Sequence, residues 1–437
     1  LYPFPTVTPK NDDGTWRNLK TIYHWSPEIN NPGLMIYETK STSKSNNILA
    51  NASVEYTPIE NLTIKIMGGI ENTDNRNDYF RTNNYIGTSA FASVSTTQFR
   101  SLLNENTITY SKSVGKHHFS VLTGFTYQDF LSTSLSGSGT NFLSDVLETS
   151  NLGASSVPGI PGSGYSLSTI LSGLGRLFYN YDDKLLATVN FRTDGSSKYS
   201  TGNKWGYFPS SSLAWRLSNE NFLKDVEQIS DLKIRAGWGV TGSQAIGPYA
   251  TLNNLYSGQT VLGGGYHTYF APGTTLPGDL KWETTEQTNF GLDLGIIDNR
   301  LRFTADYYIK KTRDLLNSVP LPPSGGFRTT IDNVGVISNR GLELAVSSDL
   351  LTGPVVWSVD ANISFNRSKV EKLSKGQDIL GSFINVTLLN DHFNIIREGE
   401  PFSVFYGYLE DGYDENGRLG NYKDLNNDGI INVRDKT

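Results

Sequence analysis

Strict two-residue alternation of apolar and polar side chains recurs along most of this chain and constrains its fold more than any other feature. From Arg300 to Lys310, Leu301, Phe303, Ala305, Tyr307 and Ile309 share one face, while Arg302, Thr304, Asp306, Tyr308 and Lys310 share the other. A period of two is that of a β-strand, whose successive side chains point to opposite sides. Leu185, Ala187, Val189 and Phe191 alternate with Leu186, Thr188, Asn190 and Arg192; Leu232, Ile234, Ala236, Trp238 and Val240 alternate with Lys233, Arg235 and two glycines. Phe290 to Ile296 alternates with Gly291, Asp293 and Gly295, and Trp357 to Phe365 alternates with Ser, Asp and Asn. Similar patterns occupy 46–57, 61–73, 98–112, 116–130, 168–180, 206–217 and 337–350. About twelve strands follow, most of them roughly 9 to 15 residues long.

The connections alternate between short and long. Pro58–Asn61, Ser113–Lys116, Tyr181–Asp183, Asp298–Asn299 and Leu351–Pro354 are short and rich in residues that tolerate positive φ or fix it. A somewhat longer one, 218–230, has room for a helical turn or two. The long connections cover about 76–97, 131–167, 195–205, 242–283, 314–336 and everything after about 370, and they are rich in Ser, Gly, Thr, Asn and Pro. Tight turns at one end and long loops at the other is the pattern of an outer-membrane barrel.

Strand length and composition support that choice. Strands of soluble proteins usually run about 5–6 residues, whereas a tilted strand crossing a bilayer needs about 9–11. Charged residues make up only 18% of the chain and Cys is absent, which excludes disulfides, zinc–thiolate sites and a cysteine nucleophile. No apolar run is long enough for a membrane-spanning helix, but a barrel needs none. A formal charge of -6 without a basic cluster argues against a nucleic-acid partner. Aromatics near strand ends, including Tyr56, Tyr110, Tyr127, Phe178, Tyr179, Tyr181, Tyr307 and Trp357, suit the girdles at membrane interfaces. The fold class expected is therefore all-β, an antiparallel transmembrane β-barrel with long extracellular loops. The alternative is a soluble, secreted β-rich binding protein stabilised by calcium.

Residues Asp424 to Asp435 read D-L-N-N-D-G-I-I-N-V-R-D, the order of a 12-residue calcium loop. Ca²⁺ takes six or more oxygens around a sharply turned backbone. Asp424, Asn426 and Asp428 would supply side-chain oxygens, Gly429 the turn and Ile430 its carbonyl. Asn432 stands where a bridging water often serves, and Asp435 closes the loop. No flanking helix is visible before it, so the frame would be irregular or β, and a solvated Asx turn is the plainer explanation. Ca²⁺ is the one cofactor these residues suggest.

Catalytic constellations are absent from the pattern. The five His residues are scattered, Gly263–Gly265 and Gly159–Gly164 lack the context of a nucleotide loop, and Asp183, Lys184 and Asp293 have no visible acid/base partner. His117 and His118 follow a tight turn, so their rings should point to opposite faces. Ligand contacts are expected in the loops instead. In 242–283, Tyr249, Tyr256, Tyr266, Tyr269 and Phe270, together with Trp282, stand among Gly, Thr and Asn. Such aromatic faces suit carbohydrate or peptide ligands, although they serve equally to pack the loop on itself.

Leu185 to Trp215, Leu232 to Gly242, Trp282 to Gly291, Asn339 to Glu343 and Tyr406-Gly407-Tyr408 with the 424–435 loop resemble, in order and spacing, the SusC/RagA family. These are TonB-dependent outer-membrane transporters, and the resemblance covers nearly the whole chain. It implies a 22-stranded barrel closed by an N-terminal plug, of which residues 1–437 would be a part of about 12 strands. Strands would cover about 46–370, and 371–437 would be an extracellular region holding the calcium-type loop. The plug and last strands are missing from the pattern, and the chain opens at Leu1 without a signal peptide, so it reads as a piece of a longer protein. The resemblance further implies the outer membrane of a Gram-negative bacterium of Bacteroidetes type. Its expected partners are a SusD-like surface lipoprotein, the TonB complex, the lipid bilayer and a glycan or peptide substrate. It implies import and no enzymatic activity.

Overall fold

The computed structural model describes residues 7–24, 29–223, 226–373, 376–381, 383–386, 389–413, 415–417 and 420–437. Two short helices come first, α1 (Leu19–Ile22) and α2 (Pro32–Tyr37). Twelve long strands follow: β1 (Thr39–Ile59), β2 (Leu62–Arg81), β3 (Phe91–Val114), β4 (His117–Phe142), β5 (Gly162–Tyr181), β6 (Leu185–Ser196), β7 (Trp205–Arg216), β8 (Ile229–Ser243), β9 (Glu283–Ile296), β10 (Leu301–Arg313), β11 (Gly335–Thr352) and β12 (Val356–Leu373). They are hydrogen-bonded in chain order, each to the next, with the short strand Ser155–Pro158 beside β4. The fold is an antiparallel meander, and each of the twelve expected strands is present. Among the described residues no helix is long and apolar enough to cross a membrane.

The short turns have the conformation their residues allow. Asp182 and Asp183 both take positive φ (53° and 52°), as do Asp298 and Asn299 (52° and 59°). Two consecutive left-handed residues make the hairpin turn whose twist matches that of the flanking strands. After β7, where the sequence has room for a helical turn or two, the described residues hold a 3-10 turn at Leu217–Asn219.

The strands outrun the sequence expectation. They reach 26 residues in β4, and β2 to β5 extend well into segments that read as loops. Those extensions are rich in Ser, Thr, Gly and Asn, or in β2 in charged residues and Asn, so the period-two signal fades while the backbone ladder continues. Three of the remaining long connections also contain strands: the hairpin Leu255–Leu262 with Gly265–Pro272, Leu316–Pro320 paired with Thr329–Asn333, and short pairs within 379–405.

The chain divides into two compact units. One comprises Leu1–Glu55, Lys65–Asn106 and Thr126–Ile170; the other comprises Tyr56–Ile64, Thr107–Phe125 and Leu171–Thr437. In the first, Phe80, Ala90, Ala92 and Phe142 form a small buried cluster, and Leu19, Tyr23 and Ile29 another. Asn31 caps α2 by accepting from the Gly33 N–H and donates to the carbonyls of Pro9 and Arg17.

In the second unit, register converts the sequence alternation into two faces. Ala187, Leu213, Ala236, Phe290, Tyr307, Leu342 and Phe365 are successive register partners across β6–β12. The next row is Leu185, Trp215, Ile234, Leu292, Ala305, Leu344 and Ile363. These side chains are not packed into a core: Leu213 is 64% exposed, Phe365 56% and Phe290 54%. So continuous an exposed apolar surface is untenable in water and is what the lipid face of a membrane barrel requires. Trp205 and Trp215 stand exposed at the two ends of β7. The segment between them is about 34 Å of strand, or about 26 Å tall at a tilt of roughly 40°, close to the apolar band of such barrels.

Candidate functional site

The opposite face of β6–β12 is polar. One row runs Thr188, Ser212, Gly237, Asn289, Tyr308, Gly341 and Asn366, and another runs Asn190, Ser210, Gly239 and Gln287. Asn190 donates to the Ser210 hydroxyl (3.1 Å) and accepts from the Arg176 guanidinium (2.8 Å), linking β5, β6 and β7.

Toward the short-turn end this face holds an ionic cluster. Arg235 Nε and Nη2 donate to both carboxylate oxygens of Asp293 at 2.9 Å, and Nη2 also donates to Asp306 Oδ2 at 3.1 Å. Lys233 Nζ stands 2.9 Å from Asp293 Oδ2. Asp293 thus has two partners that the sequence did not reveal. These two cations and two carboxylates balance one another and tie three strands together. Its floor is Gly291, the register partner of both Arg235 and Asp306. A Cβ there would lie 2.5 Å from Arg235 Cζ and 2.5 Å from Asp306 Oδ1, so the bidentate fork depends on a missing side chain.

At the long-loop end an aromatic cluster anchors the loops. Tyr199, Phe208, Ile246, Leu280 and Trp282 are buried together. Trp282 Nε1 donates to the Lys204 carbonyl (3.0 Å), and the Tyr199 hydroxyl donates to the Ser243 carbonyl (3.2 Å). Burial, with a smaller contribution from Glu283, pushes the Tyr199 phenol above its ordinary range, so it remains a neutral donor. Trp282, grouped with the loop aromatics by sequence, is therefore a packing residue.

The other loop aromatics fall on two faces of one hairpin. Tyr256 and Tyr269 lie on the same side, their rings edge-to-face at 6.1 Å. Tyr266 and Phe270 lie on the other side and are 82% and 72% exposed. Tyr249 sits in the turn before the hairpin with φ of 64°. The five residues do not form one cluster.

At the short-turn end, His117 bonds the Tyr179 hydroxyl through Nδ1 (2.8 Å) and lies against the rings of Phe119 and Tyr181, whereas His118 Nδ1 bonds the Ser113 hydroxyl (2.9 Å). The two rings have separate surroundings, and the first belongs to an exposed aromatic band.

The 424–435 loop has the turns of its motif. Gly429 has φ of 81°; Asp424 accepts from the N–H groups of Asp428 and Gly429, Asn426 from Asp428, and Asp428 from Ile430. The Asn432 amide donates to the Ile430 carbonyl (2.9 Å). Asp435 is fully buried, accepting from the N–H groups of Leu425, Asn426 and Asn432. Those bonds, that from Asn432 foremost, hold its carboxyl below the ordinary Asp range. The donors are of the type Ca²⁺ takes, but among the described residues no three acidic or His side chains gather closely enough to hold a metal ion.

Residues 2–428 match the family model described as "TonB dependent receptor-like, beta-barrel". The chain belongs to this TonB-dependent receptor family. It is 33% identical over 413 residues to TonB-dependent receptor P3 of Formosa agariphila, covering 94% of this chain and 41% of that protein. It is 32% identical over 460 residues to TonB-dependent receptor SusC of Bacteroides thetaiotaomicron, covering 97% and 44%. The solved "Structure of the RagAB peptide transporter" superposes with a TM-score of 0.80 at 25% identity, covering 92% of this chain and 45% of that one. The chain thus spans less than half the length of these relatives. The receptor family is one of outer-membrane transporters, not enzymes. Exposed apolar rows and family membership leave the soluble, secreted alternative without support.

Proposed function

We propose that the whole receptor imports oligosaccharides or peptides across the outer membrane of a Gram-negative bacterium of Bacteroidetes type, energised by the TonB complex and aided by a SusD-like surface lipoprotein. One observation carries the reading: across β6–β12 the apolar set is exposed while amides, hydroxyls and a self-neutralised ionic cluster line the other face. A wall apolar outside and polar inside suits passage of a hydrated solute through lipid. The relatives support it, one named SusC and one described as a peptide transporter. Tyr249, Tyr256, Tyr266, Tyr269 and Phe270 would offer stacking faces to the solute or to the lipoprotein lid. The test is growth of a strain lacking the gene on single glycans and on peptides. The reading requires loss of growth on one of these classes, restored by the gene only when TonB is functional; TonB-independent rescue would overturn it.

The 424–435 loop is proposed to take Ca²⁺ through Asp424, Asn426, Asp428, the Ile430 carbonyl, Asn432 and Asp435. Calorimetric titration should give a dissociation constant within about 10⁻⁴–10⁻³ M, weakened at least tenfold in Asp428→Asn. Absence of a binding heat would reject the site.

A further inference from the structure

The outward face of β9–β12 changes character at one level. Phe290, Tyr307, Leu342 and Phe365 form an apolar row. One step toward the long-loop end, Ile309, Arg340 and Arg367 are register partners, and the next row holds Glu286, Lys311, Ser338 and Lys369. Arg313 lies one step further. Two of these cations are satisfied: Arg313 pairs with Glu286 (3.4 Å) and Lys311 with Glu371 (2.5 Å). Among the described residues Arg340 and Arg367 have no ion-pair partner, Lys369 makes no direct ion pair but shares the field of the Glu371 carboxylate with Lys311, and all three cations are exposed.

Arg340 and Arg367 stand directly opposite each other on neighbouring strands. Like charges in that position destabilise a sheet, and nothing in the polar face requires them, because they point away from it. A shared anion would reverse the sign of the interaction, and paired guanidinium forks match the oxygens of a phosphate. Their height says which anion. From exposed Trp357 at the short-turn end of β12 to Arg367 is about 34 Å of strand, about 26 Å at the tilt of membrane strands. The arginines therefore stand one apolar band away from Trp357, at headgroup level on the long-loop, outer side. Trp238, whose Nε1 donates to Glu286 Oε1 (3.0 Å), adds an aromatic anchor to the same outward face.

We infer that Arg340, Arg367 and Lys369 form a binding site for the phosphorylated headgroup of an outer-leaflet glycolipid. The inference rests on the sheet's lying in the outer membrane. It is tested on the whole receptor in nanodiscs, by native mass spectrometry with lipid A and with the same lipid A after phosphatase treatment. Wild-type receptor should prefer the phosphorylated form by about tenfold to thirtyfold. Arg340→Gln/Arg367→Gln should lose the preference, and Arg340→Lys/Arg367→Lys should keep part of it. A control for assembly is heat-modifiable migration; should the double variant not assemble, the wild-type preference and the single variant Arg367→Gln decide. Equal binding of both lipids by wild type, or an undiminished preference in the variants, overturns the inference. Failure of wild type to enter nanodiscs would instead reject the membrane placement.

Discussion

The strands β6–β12 and the segment 376–437 are folded by opposite means. In the sheet, the backbone ladder and a period-two pattern do the work, and the large apolar side chains remain exposed for lipid. In the C-terminal segment the strands are two to four residues long, and side chains bonding to backbone hold the chain. Asp435 gathers three N–H groups, and the nearly buried Lys436 ammonium pairs with Asp391 and lies 5.0 Å from the Tyr408 ring centroid. A sheet of this kind is vulnerable to the wrong polarity on a face. A segment of this kind is vulnerable to the loss of a single polar atom.

The largest effect should come from reversing polarity on the lipid face. Leu213→Arg is expected to cost about 2–4 kcal/mol in bilayer unfolding titrations, while Ser212→Arg on the adjacent face costs far less. Equal costs would erase the two-face distinction. Next, Gly291→Ala should cost about 1–3 kcal/mol, because the new Cβ displaces the Arg235 fork and leaves Asp306 underpaired. Thermal melts in detergent would measure it, and an unchanged melt would mean that the cluster adapts freely.

In the C-terminal segment, Lys436→Ala should speed proteolysis within 376–437 and leave the sheet's melt within experimental scatter; a shift of the sheet's own transition would show that the two regions are coupled. The smallest effect is on pH. Asp435 titrates below its ordinary value, so its stabilisation is complete above about pH 3.9 and is lost as pH falls through the lower folded value. Hydrogen exchange at the Leu425, Asn426 and Asn432 amides should therefore rise only in strong acid. Exposure beginning near neutrality would contradict the bonds drawn to that carboxylate.

Legibility followed the same divide. Every long strand was readable, because alternation is written residue by residue and each turn carries its own Asp, Asn or Gly. The extensions of β2–β5 beyond the apolar band were missed, since Ser, Thr, Gly and Asn break their alternation and the apolar residues they do carry, such as Phe80, Ala92 and Phe142, are too sparse to mark a face. The partners of Asp293 were missed for another reason. Lys233 and Arg235 were legible as polar-face residues, but the loop between β8 and β9 hides the register that sets them beside it. Trp282 looked like its exposed neighbours because burial depends on Tyr199, Phe208 and Leu280 arriving from other segments.

The sequence by itself determined the all-β class, the two faces of each strand and the ends at which the turns and loops lie. These depend on local periodicity and on φ preferences of single residues. Only the tertiary structure decided which charges neutralise each other, which aromatics are buried and which arginines stand opposite one another. Those depend on register between strands joined by long loops, and a shift of one residue would send every side chain to the other face.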